Sequence, residues 1–283
     1  MIGPHGTLPG TTRTGEVSLH VNDLDLTTAF YRDVIGLAVR RREGDRTVLG
    51  AGDESLLELC ADSDAPERKR NETGLFHTAF LVPSRAALGD ALERIEARWR
   101  LDGASDHRVS EALYLADPED NGVEVYRDRP RDVWPSADDG AVRMDTLPLD
   151  LDQIRDLGRG EPTAPNSTTV GHVHLEVSSL SASRAFYVDA LGMHVRQLYG
   201  DAALFVAAGD YHHHVGLNVW NGRTAPPTGR GLRRFELVVP DHDALEAAQA
   251  RLDGRGISDA VADEGMDVSD PDGIGLRLRV AGE

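Results

Sequence analysis

One cysteine, Cys60, stands among 283 residues, so no intramolecular disulfide can form. Inside the run SLLELCA its thiol reads as a small buried side chain rather than a reactive one. Lysine is equally scarce: Lys69 is alone, and the other 29 of the 30 basic residues are arginines. No stretch approaches the roughly 20 consecutive apolar residues of a membrane span, so no membrane partner is expected. The opening MIGPHGTLPGTTRTGE lacks an apolar secretory segment, and the expected location is cytoplasmic. A basic stripe is missing too. With 48 acidic against 30 basic residues the net charge is −18, a balance that repels phosphates and excludes nucleic acid as an expected partner. Aspartate outnumbers glutamate by 31 to 17, spread along the whole chain. Acidity of this kind keeps a protein dispersed where salt screens charge, and it reads as a halophilic composition. It leaves homo-oligomerisation open. At 40% hydrophobic residues there is enough apolar material for a core, which excludes wholesale disorder.

What the chain has is a repeat. Residues 15–37, GEVSLHVNDLDLTTAFYRDVIGL, and 171–193, GHVHLEVSSLSASRAFYVDALGM, are identical at ten of 23 positions under a constant offset of 156. A weaker pair joins GLFHTAFLVPSRAALGDALERI at 74–95 to GLRRFELVVPDHDALEAAQARL at 231–252, and the endings ADPEDNGVEVY at 116–126 and SDPDGIGLRLR at 269–279 also correspond. The chain is therefore two halves of two units each. Every unit reads as an alternating strand, a polar turn, a helix-period stretch and several short strands, or βαβββ. An α+β fold of four such modules, forming two curved sheets that wrap around a site, is expected. The first half spans 13–128 and the second 170–283, with a Pro/Asp/Gly-rich linker at 129–169 carrying a short helix near Leu151–Leu157. Segments 62–73 and 221–230 read as exposed loops.

The residues GHVHLEVSSLSASRAFYVDALGM, DPEDNGVEVYRDRP and GDYHHHVGLNVW resemble the vicinal-oxygen-chelate superfamily, which holds glyoxalase, bleomycin-resistance and extradiol dioxygenase proteins. The resemblance covers all four units and is strongest to the four-module catechol-2,3-dioxygenase-like group. It implies the fold above. Several chemistries share that fold, so function must be argued from the site.

His172, His174 and Glu176 occupy alternate positions of one strand and share a face. By resemblance His172 falls at a metal-ligating position, His77 at the corresponding place in unit two, and Glu124 at the carboxylate position of the closing strand. A carboxylate in the apolar strand VEVY needs a partner, and a cation would supply one. Two imidazoles and one carboxylate leave open positions for a ring diol and O2, the non-haem Fe(II) arrangement; Mn(II), Ni(II) or Zn(II) are alternatives. In unit four the matching positions hold Arg234 and Arg277, which cannot ligate. The set His77, Glu124 and His172 closes only if units two and three form one sheet, with one and four forming the other. If units one and two paired instead, Glu16 would join His77 and Glu124.

Tyr114, ten residues before Glu124, matches the tyrosine that hydrogen-bonds substrate in extradiol enzymes. In the run YHHHVGLNVW, strand parity with Asn218 puts His212 and His214 on its face, and one of them is expected to be the acid–base group. His107, His174 and Asn218 are expected to contact substrate. The resemblance implies an extradiol dioxygenase cleaving a small aromatic diol with O2. The alternatives are a glyoxalase-like isomerase or lyase, which a fourth carboxylate ligand (Glu16 or Glu176) would favour, and a non-catalytic, resistance-type binding protein.

Overall fold

Once in each unit a short polar side chain starts a helix by accepting a backbone N–H three residues ahead. Asp23 caps Leu24–Phe30, Ser84 caps Arg85–Arg98, Ser179 caps Leu180–Arg184 and Asp241 caps His242–Asp253. The first and third continue into π-helical turns, Tyr31–Ile35 and Ala185–Ala190. The repeated glycines follow these turns: Gly36 at φ 90° and Gly192 at φ 92° take a left-handed conformation that side chains disfavour. The repeated tyrosines also acquire a purpose. Tyr31 donates to Asp117 at 3.1 Å and Tyr187 to Asp270 at 3.1 Å, so each half ties its first unit to the DP turn of its second.

The computed structural model describes residues 7–136, 142–257, 260–262 and 265–282. Each unit supplies four strands around one helical segment, which is the expected α+β, vicinal-oxygen-chelate architecture. Two mixed eight-stranded sheets result, and each takes one unit from each half. The opening strand of unit one, Arg13–Val21, pairs antiparallel with that of unit four, Gly231–Val239. That of unit two, Gly74–Leu81, pairs antiparallel with that of unit three, Thr169–Glu176. Every opening strand also runs parallel to the last strand of its own unit. The crossed pairing is thus the one present, and Glu16 lies in a different sheet from His77 and Glu124.

The apolar sides of these strands join the helices in one continuous core drawn from all four units, with Leu19, Leu57, Leu88, Val173, Phe235 and Leu278 among its fully buried members. The polar rows of the opening strands face away from it. The segments 62–73 and 221–230 are irregular and largely exposed, as expected, with only Glu72 and Thr73 buried. They interlock through a bridge between Glu72 and Ala225 and bonds from Thr228 and Lys69 to the buried Glu72 carboxylate. The linker contains the helix Leu151–Arg155, and its earlier part packs on the sheet of units two and three, with Leu147 bridging Asp106. No helix among the described residues is long and apolar enough to cross a membrane.

Candidate active site

On the polar side of the sheet formed by units two and three is a cavity of about 530 Å³, with His77, Glu124 and His172 in its wall. His77 comes from the opening strand of unit two, Glu124 from that unit's closing strand Gly122–Asp128, and His172 from the opening strand of unit three. Ligand atoms of the three lie within 4.8 Å of one another, and all three residues are buried. His172 Nε2 is 3.2 Å from Glu124 Oε2 in hydrogen-bond geometry. His77 Nε2 is 2.9 Å from the same oxygen but outside that geometry. His77 Nε2 therefore stays an orphaned buried polar atom, as does His172 Nδ1.

Burial opposes the charge of Glu124, yet the two imidazoles beside it outweigh this and hold its carboxyl well below the usual range. Burial pushes the His172 ring down to about 4, with Glu124 working the other way. A carboxylate and two imidazoles carrying orphaned ring nitrogens is the donor set of a divalent first-row metal. The residues fit such an ion. No other cluster of three potential ligands is this close among the described residues. The candidate fourth ligand Glu176 is held by Arg68 at 2.7 Å, Arg223 at 2.6 Å and Asn221 at 2.6 Å. Glu16 is in the other sheet.

A bulge sets the direction of two side chains. The pairing of unit two with unit three shifts register between Leu75 and His77, so Phe76 and His77, though consecutive, both line the cavity. His172 and His174 line it by simple alternation. His174 has room because its register partner is Gly216, where a Cβ would come within 2.8 Å of the imidazole. Burial, then His77 and His172, pull the His174 ring well below its ordinary value, so it is neutral.

The histidine run corrects the expectation of which face looks inward: His212, His214 and Asn218 keep the same side, as parity gives, but that side is not the cavity's. His213 lines the cavity; His212 and His214 do not. His214 is buried, accepts the Ala208 N–H at Nδ1 and is pushed down to about 3 by burial. Asn218 also lies off the cavity, donating to Leu175 O and accepting from Trp220 N. His212 Nε2 is 3.0 Å from Asp128 Oδ1, and its Nδ1 is 2.7 Å from His213 Nδ1. The carboxylate can only accept, so in the neutral ring His212 donates through Nε2 and accepts through Nδ1. His213 must then donate through Nδ1, which leaves a lone pair on its Nε2. Its ring centre is 4.1 Å from that of His172.

On another part of the wall His107 and Tyr114 both line the cavity. His107 Nδ1 is 2.6 Å from Asp145 O and its Nε2 is 2.6 Å from Tyr114 Oη. Because the carbonyl can only accept, Nδ1 carries the proton, and Nε2 of the neutral ring accepts from the phenol. Burial, and then the Glu124 charge, raise the Tyr114 phenol well above its ordinary value, so it remains protonated. Phe76, Phe205, Gln197 and the linker residues Met144–Thr146 also line the site, and none of them is expected from the sequence. Nothing local marks them, since the linker reaches the sheet by long-range packing.

The family model described as Glyoxalase/Bleomycin resistance protein/Dioxygenase superfamily matches residues 13–125 and 169–278. The chain belongs to this superfamily. Within it, a catechol-2,3-dioxygenase of Bacillus subtilis (strain 168) is 38% identical over 270 residues, covering 92% of this chain and 94% of that one. A solved structure from Bacillus subtilis subsp. subtilis strain 168 superposes with a TM-score of 0.67 at 13% identity, covering 96% of this chain and 86% of its own. Glyoxalase I from Zea mays gives 0.59 at 18% identity, covering 95% and 92%. At these identities the solved structures speak for the superfamily fold and not for a reaction.

Proposed function

We propose that the protein is a metal-dependent extradiol dioxygenase that opens a catechol-type ring with O2, with Fe(II) held by His77, Glu124 and His172. The observation that carries this reading is the convergence of two imidazoles and one carboxylate, from two units, without a fourth ligand among the described residues. Three protein ligands leave room for both oxygens of a ring diol and for O2. A glyoxalase-like site calls for a fourth carboxylate, and neither candidate is available: Glu176 is neutralised by two arginines and Glu16 belongs to the other sheet. The similarity to the Bacillus subtilis catechol-2,3-dioxygenase points the same way.

When bound, the ion would supply Lewis-acid binding of the diol oxygens and a site for O2. The remaining work falls to side chains. His213 Nε2, with its lone pair directed by the chain from Asp128 through His212, takes a proton from a diol hydroxyl and returns it as the ring opens. Tyr114 gives its one O–H to His107, so the phenol stays protonated and its oxygen is turned to accept a hydrogen bond from a substrate hydroxyl. Enclosure of His174, His213 and Glu124 keeps bulk water from the reacting atoms.

Anaerobic loading with Fe(II), followed by catechol and oxygenated buffer, tests the reading. The expected result is a yellow ring-opened semialdehyde formed with uptake of one O2 per diol. Metal-loaded protein that consumes neither O2 nor any catechol overturns it.

A further inference from the structure

Beyond the ligand atoms, the cavity is built for a particular kind of ring. Its volume of about 530 Å³ falls in the range of roughly 300–1,000 Å³ that encloses drug-sized molecules, well beyond what a bare ring diol fills. One side is a wall of aromatic rings. Phe76 meets Trp220 at 5.3 Å and His174 at 5.2 Å between centroids, His174 meets Phe205 at 5.6 Å, and Phe205 meets His213 at 5.0 Å. At the mouth, Trp220 is 47% exposed and Tyr199 is 51% exposed, large apolar surfaces that a bound molecule would cover.

The linker contributes to the wall as well. Met144 is held through both backbone groups by one side chain: Gln197 accepts its N–H at 2.7 Å and donates to its carbonyl at 3.1 Å. This fixes the strap bearing Met144, whose thioether side chain adapts to irregular apolar shapes.

Charge is distributed just as unevenly. Among the described residues no lysine or arginine lines the cavity, whereas Asp102, Asp145 and Glu124 do. The arginines that touch the two aspartates, Arg100 and Arg108, are engaged by them, Arg100 with Asp102 at 2.7 Å and Arg108 with Asp145 at 3.4 Å. The net charge of −18 adds a field that discourages anions from approaching. A carboxylate on the ring would enter an apolar wall without a cation to meet it, which is strongly unfavourable.

From this we infer that the substrate is an uncharged ring diol carrying an extended apolar substituent, and that the site discriminates against ring diols bearing a carboxylate. The inference rests on the proposed dioxygenase function. The diol end would sit at His77, Glu124 and His172, and the substituent would run outward past Phe205 and Met144 to Trp220 and Tyr199.

The test compares catechol, butylcatechol and protocatechuate, the last being the same ring with a carboxylate. Turnover by the Fe(II)-loaded full-length protein is measured alongside anaerobic calorimetric binding to the Mn(II)-loaded form. Butylcatechol is expected to exceed catechol by about 10-fold in kcat/KM and in affinity, and protocatechuate to fall at least 10-fold below catechol in both. Met144→Arg places a cation in the wall and is expected to raise protocatechuate relative to catechol by about 10-fold, whereas Trp220→Ala narrows the butylcatechol advantage. Protocatechuate bound and cleaved as well as butylcatechol overturns the inference and leaves the dioxygenase reading standing. Failure to bind or cleave any of the three overturns that reading, and this inference with it.

Discussion

The two sheets have the same strand order and opposite chemistry at the positions where ligands could stand. In the sheet of units two and three, the buried Glu124 has imidazoles rather than guanidinium groups beside it. In the sheet of units one and four, each buried glutamate faces a guanidinium. Arg234 is 3.4 Å from Glu58 and 3.9 Å from Glu16, Arg233 is 3.3 Å from Glu58, and Arg279 is 2.8 Å from Glu236. Arg277, where a closing-strand ligand would stand, grips Asp267 with two bonds of 2.7 Å. An ion-pair network of this kind satisfies its own charges, and arginine has no lone pair for a metal. One scaffold therefore carries two solutions to the same problem, a polar strand face that must be neutralised. One uses fixed cations, and the other leaves a place for a mobile one.

The sharpest way to break this contrast is to remove donors from each face in turn. His77→Ala or Glu124→Gln is expected to weaken Mn(II) or Fe(II) binding by more than about 100-fold and to abolish turnover, since loss of mere supporting partners costs about 10–100-fold. Arg234→Met or Glu58→Gln should cost stability yet keep one metal per chain. Metal analysis after gel filtration, with calorimetry for affinity, reads both. If the variants of the second sheet also shed metal, the division of labour is wrong. Next in size is the histidine run. His213→Ala is expected to retain metal but lose about 10²–10⁴ in kcat, whereas His214→Ala lowers thermal stability with kcat changed only a few-fold. Equal kcat in the two variants would remove His213 from the chemistry.

The repeat made the fold legible. Offsets in GEVSLHV and GHVHLEV mark the opening strands, and the shared glycines mark the ends of the helical segments. The crossed pairing was legible for a chemical reason, because Arg234 and Arg277 cannot be ligands and His172 needs His77 and Glu124 beside it. Side-chain direction was less so. Alternation failed where a bulge turned Phe76 inward beside His77; for the histidine run it grouped His212, His214 and Asn218 correctly, but nothing in the sequence told which of the two faces looked into the cavity. The wall formed by Met144 and Gln197 was beyond reach, because it depends on a linker packing against a strand residue 53 positions further along the chain.

The smallest effect lies in the second sheet and concerns pH. The Glu16 carboxyl, ordinarily at 4.5, is raised to about 7, first by burial and then by the carboxylates of Glu236 and Glu58, with Arg234 and Arg279 opposing. The folded protein thus holds this proton more tightly than the unfolded chain does. Below about pH 4.5 Glu16 is protonated in both states and has no pH-dependent effect. As pH rises from 4.5 through about 7 the unfolded chain releases its proton first, so the folded state loses stability, and above 7 the whole penalty is present. Glutamine stays neutral throughout. Each tenfold change in proton affinity is worth about 1.4 kcal/mol. Glu16→Gln is therefore expected to stabilise the protein by about 1–3 kcal/mol near pH 8, and by nothing resolvable below pH 4.5. Urea denaturation of both proteins across this range reads the difference, which should grow between pH 4.5 and 7. A variant that is less stable than the parent at pH 8 would mean that Arg234 already fully compensates an ionised Glu16. The network would then be as well balanced around Glu16 as it is around Glu58 and Glu236.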